Sequence, residues 1–384
     1  MTELVRVLIV ANTAYMIRQF NMSNIELLQN MGYRVEIACN FIKGNPASKE
    51  VMDEFIRQLE SLDVGCHQLP ILKSPLKIRD NYKAFKTLLN LMRKNKYAFV
   101  HCQTPVGGVL ARLAAFKTKT LSVYMAHGFH FYNGASLLTW LLYYPIEKSL
   151  SLITDVLIVI NQEDYQLAKK RMKAKRLYYV PGVGIDVDAL RIHGNNSLLT
   201  RGDIGVPEDT VLILSVGELN KNKNHETVIK ALAQLPDVHY VIVGEGALKE
   251  HLVREAQKYS VAERVHLLGF RKDAQEIYFL ADIYCHPSFR EGLSVAVMEA
   301  MAAGLPIVCS EIRGNRDLIK QEIGGILLPN PSVESYVKSL REVISNKYIR
   351  ESMGAYNAKC VEEYDKMSIN LNMKDIYLNI QDCL

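Results

Sequence analysis

The amino-acid sequence predicts an α/β protein with two doubly wound, parallel sheets. Its 384 residues suit two domains, because a typical domain has about 150. Short apolar runs alternate with segments of helical period, as parallel strands and their crossover helices do. A polar, turn-rich stretch between Gly184 and Pro207 separates two such series. We therefore predict an N-terminal domain at 1–185, a C-terminal domain at 186–365 and a terminal helix at 366–384 that could pack back on the N-terminal domain.

Each predicted strand is a short run rich in Val, Ile and Leu, which is typical of strands covered on both faces. In the first half these runs are Val5–Ala11, Arg34–Cys39, Ala98–Cys102, Leu121–Ala126 and Val156–Ile160. In the second half they are Val211–Val216, Tyr240–Val243, Val265–Leu268, Ile283–His286, Ile307–Cys309 and Gly325–Leu328. The segments between them are predicted helices. In one of these, the apolar residues that recur at helical spacing and predict a buried face are Tyr82, Phe85, Leu88, Leu89 and Met92.

Composition excludes several protein classes. Hydrophobic residues make up 49% of the chain and charged residues 23%, so disordered and fibrous classes are excluded. Seven widely spaced cysteines without a Cys-x-x-Cys pair predict reduced thiols in a cytoplasmic protein. The N-terminal apolar stretch is too short for a signal peptide, and no segment has the roughly 20 apolar residues of a membrane-spanning helix.

Charge is unevenly divided along the chain. Residues 1–185 carry 24 Lys and Arg against 13 Asp and Glu, whereas residues 186–384 carry 22 against 28. A basic half favours an anionic partner, either phosphate-bearing or a membrane surface. The Lys- and Arg-rich segment Lys73–Lys96 is a candidate for that contact, although it could equally be the solvated face of a helix.

The most informative block runs from Phe289 to Val308. A loop containing Gly292 leads into a helix of small residues, whose free backbone amides can hold a phosphate. Glu291 and Glu299 are eight residues apart, so both could lie on one side of the helix. Carboxylates accept hydrogen bonds from vicinal hydroxyls, such as those of a ribose or hexose. A single glutamate in a helix is more often a paired surface residue, but the whole block favours a ligand site.

This block resembles the acid-x7-acid signature of family 4 retaining glycosyltransferases, and related features follow in order over nearly the whole chain. The resemblance is to bacterial capsular and exopolysaccharide enzymes. It implies the GT-B fold, in which an N-terminal acceptor-side domain and a C-terminal nucleotide-sugar domain, both Rossmann-like, face an interdomain cleft. It also implies that Glu299 binds the ribose hydroxyls, that Glu291 binds the donor sugar, and that the amides after Gly292, those of Leu293, Ser294 and Val295, meet the distal phosphate.

The loop from Ser215 to His225 contains a second resemblance. Lys223 matches the family's catalytic lysine, which implies that it neutralises the charge that develops on the leaving diphosphate. Glu218 departs from the family pattern, which commonly has an arginine there. Either Lys221 or Arg271 could supply the missing phosphate contact. In isolation, this loop would be read as a solvated Lys-Asn turn.

Three further groups of residues are expected near the ligands. Gly217 and the turn containing Gly244 and Gly246 resemble the nucleotide-side loops of the family, and Arg271 belongs to the stretch that frames the base. His127 resembles a histidine near the reacting centre, while His130 is as readily structural as functional. The loop after the first strand lacks the glycines of many family members, so Asn12 or Asn21 could contact the acceptor instead.

No metal is assigned to the site. Asp186 and Asp188 mimic an Asp-x-Asp metal motif, but they lie at the predicted interdomain connection and not after a strand of a nucleotide domain.

These features together predict a metal-independent retaining glycosyltransferase without a cofactor. Its donor would be a UDP-linked hexose or N-acetylhexosamine, and its acceptor a saccharide, expected to be linked to a lipid diphosphate, in exopolysaccharide or capsule synthesis. Two other functions stay open: a UDP-sugar epimerase of the same fold, and a non-catalytic nucleotide-sugar-binding partner. Nucleic acid is not an expected partner.

The segment Leu137–Ile146 allows two interpretations. It is apolar nearly all round and carries Trp140, Tyr143 and Tyr144, which favour bilayer interfaces. It could dock on the cytoplasmic face of a membrane as a peripheral contact, or it could be a helix buried in the core of the N-terminal domain.

Overall fold

The structure is a computed structural model that describes residues 5–45 and 49–382. The chain divides into two compact units. The first contains the described residues up to Val183 and those from Ile369 onward, and the second is Gly184–Ser368. Each unit is built on one parallel β-sheet.

The first unit has a seven-stranded sheet with strand order β3-β2-β1-β4-β5-β6-β7. Its strands are β1 (Arg6–Thr13), β2 (Arg34–Asn40), β3 (Gly65–Gln68), β4 (Phe99–Gln103), β5 (Leu121–Ala126), β6 (Val156–Val159) and β7 (Arg176–Tyr179). Its helices are α1 (Ala14–Phe20), α2 (Met22–Asn30), α3 (Lys49–Ser61), α4 (Ile78–Asn95), α5 (Pro105–Thr118), α6 (Leu137–Ser151) and α7 (Gln162–Arg171). The two edge strands, β3 and β7, were not predicted, because they are short and only partly buried and lack a continuous apolar run.

The order of the strands determines which loops of this unit meet. Because β1, β4 and β5 are neighbours and parallel, their carboxyl ends lie at one edge of the sheet. Residues at the ends of these strands, including Gln103, therefore lie close to the loop that begins at His127.

Helix α4 buries four of the five residues of the predicted face at least in part, because Phe85 and Leu89 also pack against the core. Leu88 and Met92 are buried, but Tyr82 is 56% exposed and Asn81 lies inside. The Asn81 side chain accepts a hydrogen bond from the amide of Leu72 and donates one to the carbonyl of Ser74. The buried face therefore begins with a polar residue and not with Tyr82, which apolar spacing cannot reveal.

Helix α6 is not a buried core helix. Its aromatic side chains pack against the core of the first unit and Leu150 is buried, whereas Leu137, Leu138, Leu141 and Leu142 face outward. A buried ion pair holds this orientation: Arg112 Nη2 of α5 lies 2.9 Å from Glu147 Oε2. Within the described residues, no helix is long and apolar enough to cross a membrane. The six cysteines of the described part form no disulfide, and Cys383 lies outside it.

The second unit has a six-stranded sheet with strand order β10-β9-β8-β11-β12-β13. Its strands are β8 (Val211–Val216), β9 (Val238–Val243), β10 (Val265–Gly269), β11 (Ile283–His286), β12 (Ile307–Ser310) and β13 (Gly325–Leu328). Its helices are α8 (Val187–Asn195), α9 (His225–Leu232), α10 (Lys249–Lys258), α11 (Ala274–Ile277), α12 (Val295–Ala302), α13 (Arg313–Leu318), α14 (Val333–Ser345) and α15 (Lys347–Cys360). All six predicted strands of this half are present, with ends that differ by two residues at most.

Adjacent β8 and β11 are the topological switch point of this sheet, since the chain order reverses between them. Ligands of open parallel sheets bind at the carboxyl edge of such a point. The loops that follow β8 and β11 are the two loops that contain Lys223 and Glu291.

The last helix, α16 (Lys366–Gln381), belongs to the first unit from Ile369 onward. Tyr377 anchors it: its ring stacks on Phe99 at 5.8 Å between centroids, and its hydroxyl lies 2.8 Å from Nδ1 of His101. The two residues after Asp382 lie outside the described part.

Candidate active site

The loops after β8 and β11 are joined by their own backbone and asparagine side chains. The Phe289 amide donates to the Asn222 carbonyl at 2.8 Å, and Asn222 Nδ2 donates to the Arg290 carbonyl at 2.9 Å. Asn224 Nδ2 adds a third hydrogen bond, 3.2 Å long, to the Pro287 carbonyl. These hydrogen bonds hold the polar loop around Lys223 against the loop after β11, so it is not a solvated turn.

These contacts bring Lys223 and Glu291 together. Lys223 Nζ lies 2.7 Å from Glu291 Oε1, and both side chains keep less than a fifth of their surface exposed. The aliphatic part of the lysine lies on Gly217, where an added Cβ would be only 3.0 Å from Lys223 Cε. Gly217 therefore serves the site by making room for the lysine side chain.

Glu291 is a strongly stabilised carboxylate. Burial alone would raise its pKa, but hydrogen bonding to His286 and the positive charge of Lys223 outweigh burial and hold the pKa well below the usual value. Glu291 therefore stays ionised at neutral pH and binds a proton only weakly.

Two residues that support Glu291 were not predicted from the sequence. His286, the last residue of β11, is 2% exposed and places Nε2 3.5 Å from Glu291 Oε1. Arg313 donates from Nε to the Glu291 carbonyl at 3.0 Å. A polar residue ending an apolar strand was the available signal for His286; nothing in the sequence near Arg313 points to this contact.

The helix of the signature block begins later than its spacing suggests. Helix α12 begins at Val295, and Ser294 caps it by accepting a hydrogen bond from the Val297 amide. Glu291 therefore lies in the loop before the helix, and only Glu299 belongs to α12. The first amides of α12 have no acceptor within the helix, which is the usual condition for anion binding.

The loop before α12 also packs closely on α13. A Cβ on Gly314 would lie 2.5 Å from the Gly292 carbonyl oxygen, so only glycine at 314 allows this approach without a shift. Gly292 and the Leu293 backbone are held by this contact beside the start of α12.

Glu299 has different surroundings from Glu291. Its Oε2 accepts a hydrogen bond from the Tyr278 hydroxyl at 3.0 Å, and its Oε1 accepts one from Gln275 Nε2 at 3.2 Å. Burial raises its pKa despite these two hydrogen bonds. Rings of Tyr278, Tyr284 and His286 lie in contact between the two carboxylates, with centroids 5.6 and 6.0 Å apart.

The remaining predicted nucleotide-side residues have structural contacts of their own. Gly244 lies against the Gly217 carbonyl, and Gly246 against the Leu219 carbonyl, so close that an added Cβ would be 2.0 and 2.5 Å away. Arg271 donates to both carboxylate oxygens of Asp273, at 2.7 and 2.5 Å. Its guanidinium is thereby engaged by a neighbouring acid.

Of the two candidate replacements for the family arginine, Lys221 has the more open position. Both Lys221 and Glu218 are exposed, and both belong to the loop that carries Lys223.

Two groups of side chains bear on metal binding. Asp186 caps α8 by accepting a hydrogen bond from the Ala189 amide at 2.9 Å, which gives it a structural role. Among the described residues, Glu226, His251 and Glu255 place ligand atoms within 4.8 Å of one another. Lys230 already pairs with Glu226 there and lies 3.6 Å from Glu255, so an ammonium group supplies the positive charge.

In the first unit, His127 belongs to a chain of hydrogen bonds. His127 Nε2 lies 2.7 Å from Gln103 Oε1, and Gln103 Nε2 donates to Asn21 Oδ1 at 2.7 Å. Burial lowers the pKa of His127 to about 4, so the imidazole is neutral at pH 7. A neutral ring whose Nε2–H donates to Gln103 keeps the Nδ1 lone pair as an acceptor.

The expectation that Asn12 or Asn21 contacts an acceptor is not supported by their positions. Asn21 is fully buried, and Asn12 is 4% exposed. The Asn12 carbonyl oxygen accepts hydrogen bonds from Thr104 Oγ1 and the Gly107 amide, at 2.8 and 2.9 Å. Both asparagines hold the loops around His127, and neither offers a free surface. His130 stacks on Tyr143 of α6 at 4.5 Å, which is a packing contact.

Comparison with known families identifies the class of protein. Residues 23–189 match the family described as Glycosyltransferase Family 4, and residues 198–360 match Glycosyl transferases group 1. The Bacillus subtilis protein named "Putative glycosyltransferase EpsD" is 32% identical over 386 residues, covering 98% of this chain and 97% of that protein. The chain therefore belongs to this family of glycosyltransferases.

A second relative and a solved structure extend the comparison. The UDP-Gal:alpha-D-GlcNAc-diphosphoundecaprenol alpha-1,3-galactosyltransferase of Escherichia coli is 25% identical over 374 residues, covering 95% of this chain and 94% of the enzyme. Anabaena HepE, solved with UDP and glucose, has a TM-score of 0.78 at 17% identity, covering 98% of this chain and all of that one. The GT-B fold predicted from the sequence is confirmed.

The opposite pKa shifts of the two glutamates predict opposite effects on stability. The folded state favours ionised Glu291, so Glu291→Gln should lower the free energy of unfolding at pH 7 by about 1–3 kcal/mol. The folded state disfavours ionised Glu299, so Glu299→Gln should leave that free energy unchanged or raise it. Urea unfolding at pH 7 measures both variants.

Lowering the pH provides the control for this prediction. The stabilisation from Glu291 exists above the ordinary carboxyl pKa of 4.5 and is lost as the pH falls below it. The difference between wild type and Glu291→Gln should therefore shrink in acid. Equal losses of stability in the two variants at pH 7 would contradict the assignment.

Proposed function

We propose that this glycosyltransferase moves a hexose or N-acetylhexosamine from a UDP-sugar to a saccharide linked to a lipid diphosphate, in exopolysaccharide or capsule synthesis. The transfer retains the anomeric configuration and uses no metal or other cofactor. The observation that carries the proposal is the pairing of Lys223 with Glu291 in the loop that leads into α12. This arrangement offers a cation, a carboxylate and helix amides to one nucleotide sugar.

Each part of the donor has a matching group in the second unit. The buried carboxylate of Glu299 suits the vicinal hydroxyls of a ribose, and the ionised Glu291 suits the hydroxyls of the donor sugar. The amides at the start of α12, around Leu293, Ser294 and Val295, suit the distal phosphate. The binding energy from the ribose and phosphates would then orient the sugar for transfer.

Lys223 has the position and charge to stabilise the leaving diphosphate. Its ammonium is held by Glu291 and its backbone amide donates to Asn220 Oδ1, so little reorganisation is needed when charge develops as the glycosidic bond breaks. A lysine is a compact charge that suits a phosphate oxygen. Interaction with a charge that grows in the transition state lowers the barrier, whereas equal binding of substrate and transition state does not.

The acceptor proton is assigned to the donor phosphate. Glu291 is a weak base, because its pKa lies well below the usual value. A retaining transfer in which the donor phosphate takes the proton, on the face from which the diphosphate leaves, needs no other base. His127, neutral and half-buried at the carboxyl edge of the first sheet, is proposed to accept a hydrogen bond from a sugar hydroxyl.

The acceptor class is supported by the relatives and by charge. The E. coli relative is named for a diphosphoundecaprenol-linked acceptor and a UDP-linked donor. The first half of the chain, with 24 basic and 13 acidic residues up to position 185, suits a diphosphate-bearing lipid. Such an acceptor would be reached at the cytoplasmic face of a membrane.

A donor and acceptor screen tests the function. UDP-hexoses and UDP-N-acetylhexosamines are combined with lipid diphosphate-linked saccharides, and UDP release is measured with and without EDTA. We expect release to require the acceptor and to continue in EDTA. Conversion of the donor to its epimer without acceptor would favour an epimerase, and donor binding without turnover would favour a non-catalytic partner. Activity that EDTA abolishes and Mn²⁺ restores would contradict metal independence.

Lys223→Ala should lower kcat by on the order of a hundred-fold or more and change the donor KM far less, because the charge it meets develops late. Lys221→Ala is the matched control on the same loop. If Lys221 replaces the family arginine as a ground-state phosphate contact, this change raises the donor KM and leaves kcat nearly unaltered. Steady-state kinetics that give Lys223→Ala a raised KM at unchanged kcat would refute the proposed role.

Glu299→Gln should weaken UDP binding by about 1–3 kcal/mol, because a charge-assisted hydrogen bond to the ribose is lost. Isothermal titration calorimetry with UDP measures the change. Glu263→Gln, at an exposed position of the same unit, is the control and should bind UDP as wild type does. Undiminished affinity in Glu299→Gln would remove the ribose assignment.

A further inference from the structure

Helix α6 presents an apolar surface to solvent. We call this surface the leucine face; its members are Leu137, Leu138, Leu141, Leu142 and Ile146. The first three are 82, 75 and 74% exposed. A helix on a globular protein normally turns such residues toward the core, and a contiguous exposed patch of this kind marks an interaction site.

Specific contacts prevent the helix from turning this face inward. The ion pair between Glu147 and the fully buried Arg112 lies on the opposite side, and Arg112 also stacks on Tyr124 at 3.9 Å. Trp140 Nε1 donates to the Tyr132 carbonyl at 3.2 Å. Rotating α6 to bury the leucines would break the Glu147–Arg112 ion pair and the Trp140–Tyr132 hydrogen bond, and it would leave the buried Arg112 without its acidic partner. The outward orientation of the leucines is therefore part of the fold.

A dense group of cations lies next to α6. The segment Lys169–Arg176, which we call the basic segment, has six Lys and Arg among eight residues and no acid. Arg171 places its guanidinium 5.6 Å from the Trp140 ring and 5.7 Å from the Tyr144 ring, which fixes the segment next to α6. Lys148 of α6 lies 5.5 Å from the Tyr144 ring.

Some of this charge is already used within the unit. Lys175 pairs with Asp155 at 2.6 Å, and Arg176 donates to the Asn379 carbonyl at 2.5 Å. Lys169, Lys170 and Lys173 are exposed. The segment therefore keeps a positive surface after these internal contacts are counted.

A groove lies at the end of α6 and is lined in part by Lys175 and Arg176 of the basic segment. It has a volume of about 590 Å³ and combines exposed apolar side chains with cations, among them Phe116, Leu152, Lys119 and Lys175. Phe116 and Leu152 are 64 and 67% exposed. Apolar groups flanked by lysines suit a lipid, whose acyl chain and anionic headgroup need both kinds of contact.

We propose that the leucine face and the basic segment together dock this glycosyltransferase on a bilayer that contains anionic phospholipid. Charge decides between occupants: lysine is depleted from protein–protein interfaces, whereas leucines beside lysines and interfacial aromatics are typical of membrane-surface helices. The biological purpose rests on the proposed lipid-linked acceptor, but the surface itself is defined by burial, contacts and charge. The sequence offers Leu137–Ile146 as a possible bilayer contact and Lys73–Lys96 as a possible basic contact; the basic segment of this proposal is a different one.

Vesicle flotation tests the proposal, with vesicles of phosphatidylcholine alone or mixed with phosphatidylglycerol and without any donor. Wild type should bind the anionic vesicles, and salt should weaken that binding. The triple variant Leu138→Gln, Leu141→Gln and Leu142→Gln should bind at least about ten-fold more weakly. Its control changes three other exposed leucines, Leu76, Leu198 and Leu371, to Gln and should bind as wild type does.

A second pair of variants tests the charge. Changing Lys169, Lys170 and Lys173 to Gln should weaken binding by roughly a hundred-fold at low salt. The matched change of Lys83, Lys86 and Lys94 on α4 should have a smaller effect. If the α4 variant loses binding and the other does not, the basic segment is not the docking surface.

A tryptophan moved onto the leucine face tests how deeply that face inserts into the bilayer. Trp140 packs inward against Phe131 at 5.5 Å, so its emission should change little on docking. In the variant Trp140→Phe with Leu141→Trp, the new indole should shift to the blue and be quenched by brominated lipids. Thermal unfolding of every variant checks that the fold is retained.

Three outcomes would overturn the proposal: equal binding to neutral and anionic vesicles, leucine variants that bind as wild type does, or a dimer in sedimentation that the leucine variant dissociates while vesicles bind neither form. The proposed function fails separately, because UDP release from detergent-dissolved acceptors does not need this surface. A docking failure would leave that release intact, and a failure of catalysis would leave vesicle binding intact.

Discussion

The site depends on one ion pair between distant parts of the chain. Lys223 and Glu291 are 68 positions apart in the sequence, yet their charged atoms lie 2.7 Å apart because β8 and β11 are adjacent and parallel. Both residues follow the carboxyl ends of their strands, where a doubly wound sheet collects its loops. The hydrogen bonds made by the backbone and side chain of Asn222 then hold the two loops together.

The two carboxylates of the site, one of them in this pair, have different surroundings. The charge of Glu291 is balanced by Lys223, with His286 beside it, whereas half-buried Glu299 contacts a tyrosine and a glutamine and, among the described residues, has no cation to offset the desolvation of its charge. A donor that brings hydroxyl groups to Glu299 would offset that cost. The ionised Glu299 therefore lowers the stability of the folded protein, which is common where binding residues are held ready for a ligand.

In the first unit, buried polar contacts determine which side chains are exposed. Asn21 and Gln103 hold a neutral His127 at the carboxyl edge of the sheet, while Arg112 and Glu147 hold α6 so that its leucines face outward. Breaking such a buried pair leaves an unpaired charge, which is far more costly than exposing a leucine. The exposed apolar face is therefore a consequence of polar contacts inside the unit.

The sequence by itself determined the eleven strands that contain continuous apolar runs, because such runs are readable without tertiary contacts. A long local signature and a family resemblance also singled out Lys223, Glu291 and Glu299 as candidate site residues. Tertiary structure alone decided the partners of polar groups: His286 and Arg313 beside Glu291, Asn81 inside α4, and the enclosed positions of Asn12 and Asn21. The edge strands β3 and β7 could not be predicted from the sequence either, because a half-buried strand needs no continuous apolar run. The physical reason is common to all of these: periodicity reports which side of an element is apolar, whereas a polar side chain is satisfied by whichever element the strand order brings beside it.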